Sequence, residues 1–162
     1  MAGSLKNAAG ELHLQFQIGD DRYALPACEV VEVLPLRKLK QLPEAPAWVA
    51  GLFSHRGRMV PVLDLCQRVL GRAARARSST RLVLVRYRGA PDAPVLGLVL
   101  EQATDTLRLA SEAFADSGLE AGLPQYLGPV QPSSAGVVQR INIDGLLDER
   151  MRALLFQPVT QD

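Results

Sequence analysis

Leu12-His13-Leu14-Gln15-Phe16-Gln17-Ile18 alternates four apolar residues with three polar ones. A period of two is the mark of a strand with one face buried. On that pattern His13 falls on the polar face, where a solvated side chain is the ordinary expectation. Gly19-Asp20-Asp21-Arg22 follows as a turn, since Gly and Asp accept the backbone angles that a reversal needs. Tyr23-Ala24-Leu25 resumes the strand, so the segment predicts a hairpin. Pro26 cannot donate to a ladder and ends the second strand or holds it at an edge.

Outward from this hairpin the chain keeps the same grammar. Cys28 to Leu34 predicts a short helical turn passing into a strand, and Pro43 and Pro46 keep the next segment extended. Met59 to Leu65 predicts a strand, bulged or at an edge because of Pro61, with Arg56-Gly57-Arg58 as the turn into it. Gly71 to Thr80, with Arg72, Arg75 and Arg77, predicts an exposed basic loop. Leu82 to Tyr87 and Val95 to Leu100 are near-continuous apolar strands, buried on both faces, with the turn residues 88–94 between them. Glu101 to Leu109 predicts a weaker strand, Ser111 to Ser117 one helical turn, and Gly118 to Pro132 a loop anchored by Tyr126 and Leu127. Val137 to Ile143 predicts a last strand. Asp144 is then placed to cap a helix running to about Phe156, stopped by Pro158, with Leu147, Met151, Leu154 and Leu155 on one face.

Many short strands with Gly/Pro turns and one terminal helix point to small closed barrels. Tyr23–Leu36 and Leu96–Leu109 also align without gaps, matching Leu25 with Leu98, Leu34 with Leu107, Leu36 with Leu109 and Glu32 with Asp105. Such an echo predicts two similar barrels in one chain, with a groove between them.

Composition narrows the function. The 162 residues are 48% hydrophobic and 22% charged, ordinary for a globular domain. Eighteen Lys+Arg against seventeen Asp+Glu leave a net charge of +1. A surface that tracks phosphates needs a cationic excess, so nucleic acid is not an expected partner. No run of eighteen apolar residues exists to enter a membrane, and Met1 to Glu11 holds no apolar stretch of signal-peptide length. Cys28 and Cys66 are too few for a disulfide scaffold, and reduced thiols in a cytoplasmic setting are the simplest expectation.

Catalytic patterns are thin. His13 and His55 are the two histidines, and neither HExxH, GxSxG, a phosphate loop nor a dinucleotide fingerprint occurs. Neither a metal nor another cofactor is expected from so few dispersed ligands. A dyad of Cys66 and His55 is the one enzyme alternative, set against a plain core cysteine at a strand end. Ser54-His55-Arg56-Gly57-Arg58 before the apolar run to Leu65 has a different character. Gly57 permits an unusual backbone angle that directs Arg56 outward beside apolar surface, the composition of a binding hot spot. The plainer alternative is a solvated turn arginine.

The segment from Ala45 to Leu65, Ala-Pro-Ala-Trp-Val-Ala-Gly-Leu-Phe-Ser-His-Arg-Gly-Arg-Met-Val-Pro-Val-Leu-Asp-Leu, resembles the signature of the CheW family of chemotaxis coupling proteins. That family carries a P-x-F-I-x-G-hydrophobic-x-N-L-R-G-x-hydrophobic-hydrophobic-P-V-x-D-L pattern at this place. Phe16, Gly19, Tyr23, Val30, Glu32 and Val33 are similar to the preceding family segment. Leu96 to Leu100, Asp105, Leu107 and Ile141 to Leu147 are similar to its later part. The likeness spans about residues 12–156. Ser54-His55 stands where Asn-Leu is usual, and Cys66 where an arginine is usual, as in a specialised paralogue.

The resemblance implies a mainly-β fold of two five-stranded SH3-like barrels related by a pseudo-two-fold, plus a C-terminal helix. It implies one domain over 12–156, a subdomain boundary within about 66–80, a C-terminal segment returning to the first barrel, and flexible termini at 1–11 and 157–162. It further implies a non-catalytic adaptor, cytoplasmic and recruited to membrane receptor arrays. Its partners would be the cytoplasmic tip of a methyl-accepting chemoreceptor and the CheW-like regulatory domain of a CheA-type histidine kinase. Receptor contacts in the family correspond here to Val30, Glu32 and Arg56, and the kinase domain would engage the groove between the barrels. The alternative within the family is a lattice component that binds kinase regulatory domains and not receptors.

Overall fold

A computed structural model describes residues 10–90, 92–110, 124–133 and 136–156. The expected helical turn at 111–117 lies outside these residues, as do the stop at Pro158 and the expected flexibility of residues 1–9 and 157–162.

The chain is mainly β. Nine strands are described: β1 (Glu11–Ile18), β2 (Asp21–Pro26), β3 (Val30–Pro35), β4 (Val49–His55), β5 (Arg58–Asp64), β6 (Arg81–Arg86), β7 (Val95–Leu109), β8 (Leu127–Ser133) and β9 (Gly136–Ile141). Two short helices accompany them, α1 (Leu65–Leu70) and α2 (Glu149–Leu155). A 3-10 turn at Ala27–Glu29 leads into β3, as the mixed signal of Cys28 to Leu34 predicts.

The ladders fall into two sets of five strands that share β7. One runs β8-β9-β2-β1-β7, using the Glu11–Gln17 register of β1 on the Glu101–Leu109 half of β7. The other runs β4-β5-β7-β6-β3, using the Val95–Leu100 half of β7. The two expected strands at 95–100 and 101–109 are thus one strand. Gln102 takes φ +53° where β7 passes from one sheet to the other, and the β1 register shifts opposite that point.

Position by position the two ladders are equivalent. β2 lies antiparallel to β1 and parallel to β9, while the first half of β7 lies antiparallel to β6 and parallel to β5. The hairpin β8–β9 corresponds to β4–β5. The echo between residues 23–36 and 96–109 follows from this, since each stretch crosses from one sheet to the other, in opposite senses. Residues 66–80 link β5 to β6 inside one sheet. The strands before and after this link repeat one strand order, and each repeat contributes strands to both sheets.

One core serves both sheets. Phe16 and Leu25 from the first meet Val83, Val85 and Leu98 from the second, with Leu65 of α1 and Met151 of α2 against them. A second cluster, including Leu34, Phe53, Val62, Leu82 and Leu84, fills the inside of the β3–β7 sheet. Alternate β6 residues enter different clusters, so Leu82 to Val85 are all buried, as a strand covered on both faces requires.

Four local expectations need correction. His13 is fully buried, on the face of the sheet it shares with Ala24, Leu109 and Val138, which form a small apolar cluster of their own. Leu127 to Ser133 is strand, not loop: among the described residues β8 pairs only with β9, and an edge strand tolerates Pro129 and Pro132. Asp148, not Asp144, caps α2, its carboxylate accepting from the Met151 amide at 2.8 Å, while Asp144 accepts from the Arg88 amide at 3.0 Å. Cys66 stands in the first turn of α1, not at a strand end, because Asp64 accepts from the Gln67 amide and starts a helix there.

Candidate functional site

Arg56 and Gly57 are the two central residues of the β4–β5 hairpin, flanked by the paired residues His55 and Arg58. Their φ angles are +53° and +78°. A two-residue hairpin turn with both centres left-handed matches the strand twist, and glycine at the second position carries that angle without strain. Arginine at the first is an uncommon occupant, bearing the cost of a left-handed angle on a residue with a Cβ. Its side chain leaves the sheet at the tip and is 77% exposed.

Glu32 comes to the same place from the opposite end of that sheet. β3 and β4 are the terminal strands of the β4-β5-β7-β6-β3 ladder and have no shared register. Side chains join them instead. His55 Nε2 is 3.0 Å from Glu32 Oε1, and Arg56 Nη2 donates to the same oxygen at 3.4 Å. The hydrogen bond from His55 is the largest influence on Glu32, holding its carboxyl below the ordinary carboxylate value. A smaller upward push comes from desolvation, and the nearby Arg56 charge adds a further lowering. His55 is the most enclosed member, its ring tilted against Phe53 at 5.7 Å between centroids. Arg37 approaches the Phe53 ring at 5.8 Å.

Of the three residues singled out from the sequence, Glu32 and Arg56 meet. Val30 is half-buried and packs against the main core. The exposed apolar neighbours of Glu32 are Val31 and Val33, and Met59 is exposed just past the hairpin turn. The register shift between Val30 and Glu32 sets them opposite Val85 and Leu84, which belong to different core clusters, so the two residues face opposite sides of the sheet. His55, marked in the sequence as a candidate catalytic base and as a departure from the family pattern, is the residue that bonds Glu32 and lies beside Arg56.

The alternative dyad is not assembled. His55 Nε2 is engaged by Glu32, while Cys66 is buried in the main core. Burial first, and the charges of Glu101 and Asp64 next, push the Cys66 thiol up to about 12. A thiol held there is protonated at neutral pH and is not a nucleophile. Among the described residues no cluster of three or more His, Cys, Asp or Glu side chains is arranged to hold a metal ion. No described helix is long and apolar enough to cross a membrane.

The basic loop is tied down in part. Arg72 Nη1 donates to Glu101 Oε2 at 3.1 Å, the Arg75 amide donates to the same oxygen at 2.6 Å, and the Ala74 amide donates to Asp64 Oδ2 at 2.8 Å. Thr80, inside the expected exposed stretch, is buried.

Comparison with known proteins agrees with this architecture. Residues 12–151 match the family model described as CheW-like domain. The chain is 32% identical over 143 residues to protein FrzA of Myxococcus xanthus, covering 86% of this chain and 87% of that one. It is 28% identical over 94 residues to the chemotaxis protein CheW of Helicobacter pylori, covering 58% of this chain and 54% of that one. Among solved structures, the scaffolding protein TtCheW of Thermoanaerobacter tengcongensis superposes with a TM-score of 0.73 at 16% identity, over 86% of this chain and 88% of that one. The match over residues 12–151 and the 32% identity along most of both chains identify the chain as a member of the CheW-like domain family.

Proposed function

We propose that this chain is a non-catalytic adaptor that couples methyl-accepting chemoreceptors to a CheA-type histidine kinase in a cytoplasmic signalling array. Membership of the CheW-like family supports the adaptor class, and relatives named as chemotaxis proteins support the setting. One observation carries the receptor-facing part. Arg56 projects from a two-residue turn with its guanidinium in solvent beside the Glu32 carboxylate, Met59 being exposed next to the turn and Val31 and Val33 exposed on either side of Glu32 in sequence.

A receptor helix tip would lay apolar side chains on such a surface and orient itself through the two charges. A second face, the groove between the sheets, would meet the homologous regulatory domain of the kinase. Weak contacts suffice in an array, where tethering raises local concentration. Charges desolvated at an interface typically cost about 2–5 kcal/mol on truncation, rim charges much less.

Separate pull-downs with a receptor cytoplasmic fragment and with a kinase regulatory domain test the proposal. Wild-type protein should retain both, and Arg56→Ala should lose the receptor while keeping the kinase domain. Retention of the kinase domain alone by wild-type protein would instead identify a lattice component.

A further inference from the structure

We infer that His55 is a specificity-determining positioning residue: it satisfies Glu32 so that the Arg56 guanidinium stays available to an acidic group on the partner. The assignment rests on the receptor-coupling proposal for the identity of that partner, and on this chain's own geometry for the rest.

The chemistry at one nitrogen decides it. His55 Nε2 lies 3.0 Å from Glu32 Oε1 and 3.3 Å from Arg56 Nε. An imidazole nitrogen carries either a hydrogen or a lone pair. Glu32, with its carboxyl held below the ordinary value, is an acceptor only at neutral pH. Nε2 therefore bears the hydrogen and donates it to Glu32. Arg56 Nε–H then finds no lone pair on that nitrogen. What remains to Arg56 inside this cluster is the 3.4 Å approach of Nη2 to Glu32, longer than an ordinary N–H···O bond, on a mostly exposed side chain.

Without a donor at position 55 the balance changes. The carboxylate would then have Arg56 as its nearest partner, and the guanidinium fork fits a carboxylate with two parallel bonds. A partner's acidic side chain would have to break that pair before binding. Position 55 thus sets how readily Arg56 can be engaged, which makes it a determinant of receptor choice.

The test uses the full chain and three variants, His55→Leu, His55→Gln and His55→Leu in a Glu32→Gln background, each verified as folded by its amide spectrum. Ring-nitrogen NMR of the free wild-type protein should show hydrogen on Nε2. His55→Leu should slow exchange of the Arg56 Nε–H with water, and His55→Gln, which keeps a donor, should not. By calorimetry, His55→Leu should bind a receptor cytoplasmic fragment about three- to fivefold more weakly, the scale of one exposed ion pair to be broken. Measured against Glu32→Gln alone, which itself loses an orienting charge, adding His55→Leu should weaken binding no further, an outcome that a general packing role for His55 would not give. Hydrogen on Nδ1 alone, unchanged Arg56 exchange in His55→Leu, or equal weakening in both backgrounds overturns the inference. Failure of the wild-type protein to bind the fragment overturns the receptor proposal, while the ring and exchange measurements still decide the positioning role.

Discussion

His55 Nε2 and Glu32 Oε1, 3.0 Å apart, join the last residue of β4 to the middle of β3. These strands are the two ends of one five-stranded ladder, so a side-chain bond spans a gap that the backbone leaves open. Stability of that sheet edge and geometry of the exposed arginine beside it are therefore set by the same contact.

Acid should weaken this contact with a definite sign. The Glu32 carboxyl is held below its ordinary value in the folded chain, first by the His55 hydrogen bond. A depressed carboxyl stabilises the fold above the unfolded-state value near 4.3, and that contribution disappears as pH falls through the folded value. A carboxyl-carbon NMR titration should give Glu32 a midpoint below that of a solvated glutamate, and His55→Leu should move it upward. An unchanged midpoint in the variant would remove His55 as the cause.

Asp64 holds two backbone groups at once, accepting from the Gln67 amide at 3.1 Å and from the Ala74 amide at 2.8 Å. One bond starts α1 and the other ties the following loop to it. Asp64→Ala should cost about 2–3 kcal/mol, the sum of a lost N-cap and an amide left without its acceptor. Denaturant unfolding measures this directly, and a loss below about 0.5 kcal/mol, the ordinary surface range, would contradict it.

Two glycines with positive φ should respond differently to alanine. Gly57 at +78° has no atom within 4 Å of an added Cβ, so Gly57→Ala meets only the left-handed strain of about 1–2 kcal/mol. Gly51 at +148° would place its Cβ 2.5 Å from the Lys40 carbonyl oxygen and 2.9 Å from the Leu39 Cβ. Gly51→Ala should cost about 3 kcal/mol or more, because backbone has to move where Lys40 and Leu52 bond each other. Equal melting temperatures for the two variants would show that this close approach is not a constraint.

The thiols should separate cleanly. Cys28 is exposed, and Cys66 is buried with its thiol pushed up to about 12. An aromatic disulfide reagent at neutral pH should titrate one thiol quickly in native protein and the second only after unfolding. Two fast thiols in the folded state would contradict the burial of Cys66.

Much of the fold was legible in local patterns, because strand alternation and Gly/Pro turns are local physics. The Leu12–Ile18 period and the two apolar strands flanking residues 88–94 predict β1, β6 and the first half of β7. Alternation puts His13 on the polar face of β1, because it assigns faces without showing that both of them are covered. Pro129 and Pro132 make β8 read as loop until its edge position is known. Asp144 and Asp148 both precede helix-forming residues, and only tertiary contact with the Arg88 amide diverts the first from capping. Arg56 was marked by its own turn, a local signal. Its relation to Glu32 through His55 spans 23 residues of sequence and follows from the meeting of two sheet edges.

The most direct measurement of the central claim is calorimetric titration of Arg56→Ala with a receptor cytoplasmic fragment, paired with its thermal unfolding. Since the Arg56 side chain is mostly in solvent, its removal should leave Tm within about 2 °C of wild type, the range of a surface substitution. Receptor affinity should fall at least about thirtyfold, corresponding to about 2 kcal/mol for a charge desolvated at an interface. Wild-type affinity in that variant would contradict the account, leaving Arg56 as a solvated turn residue.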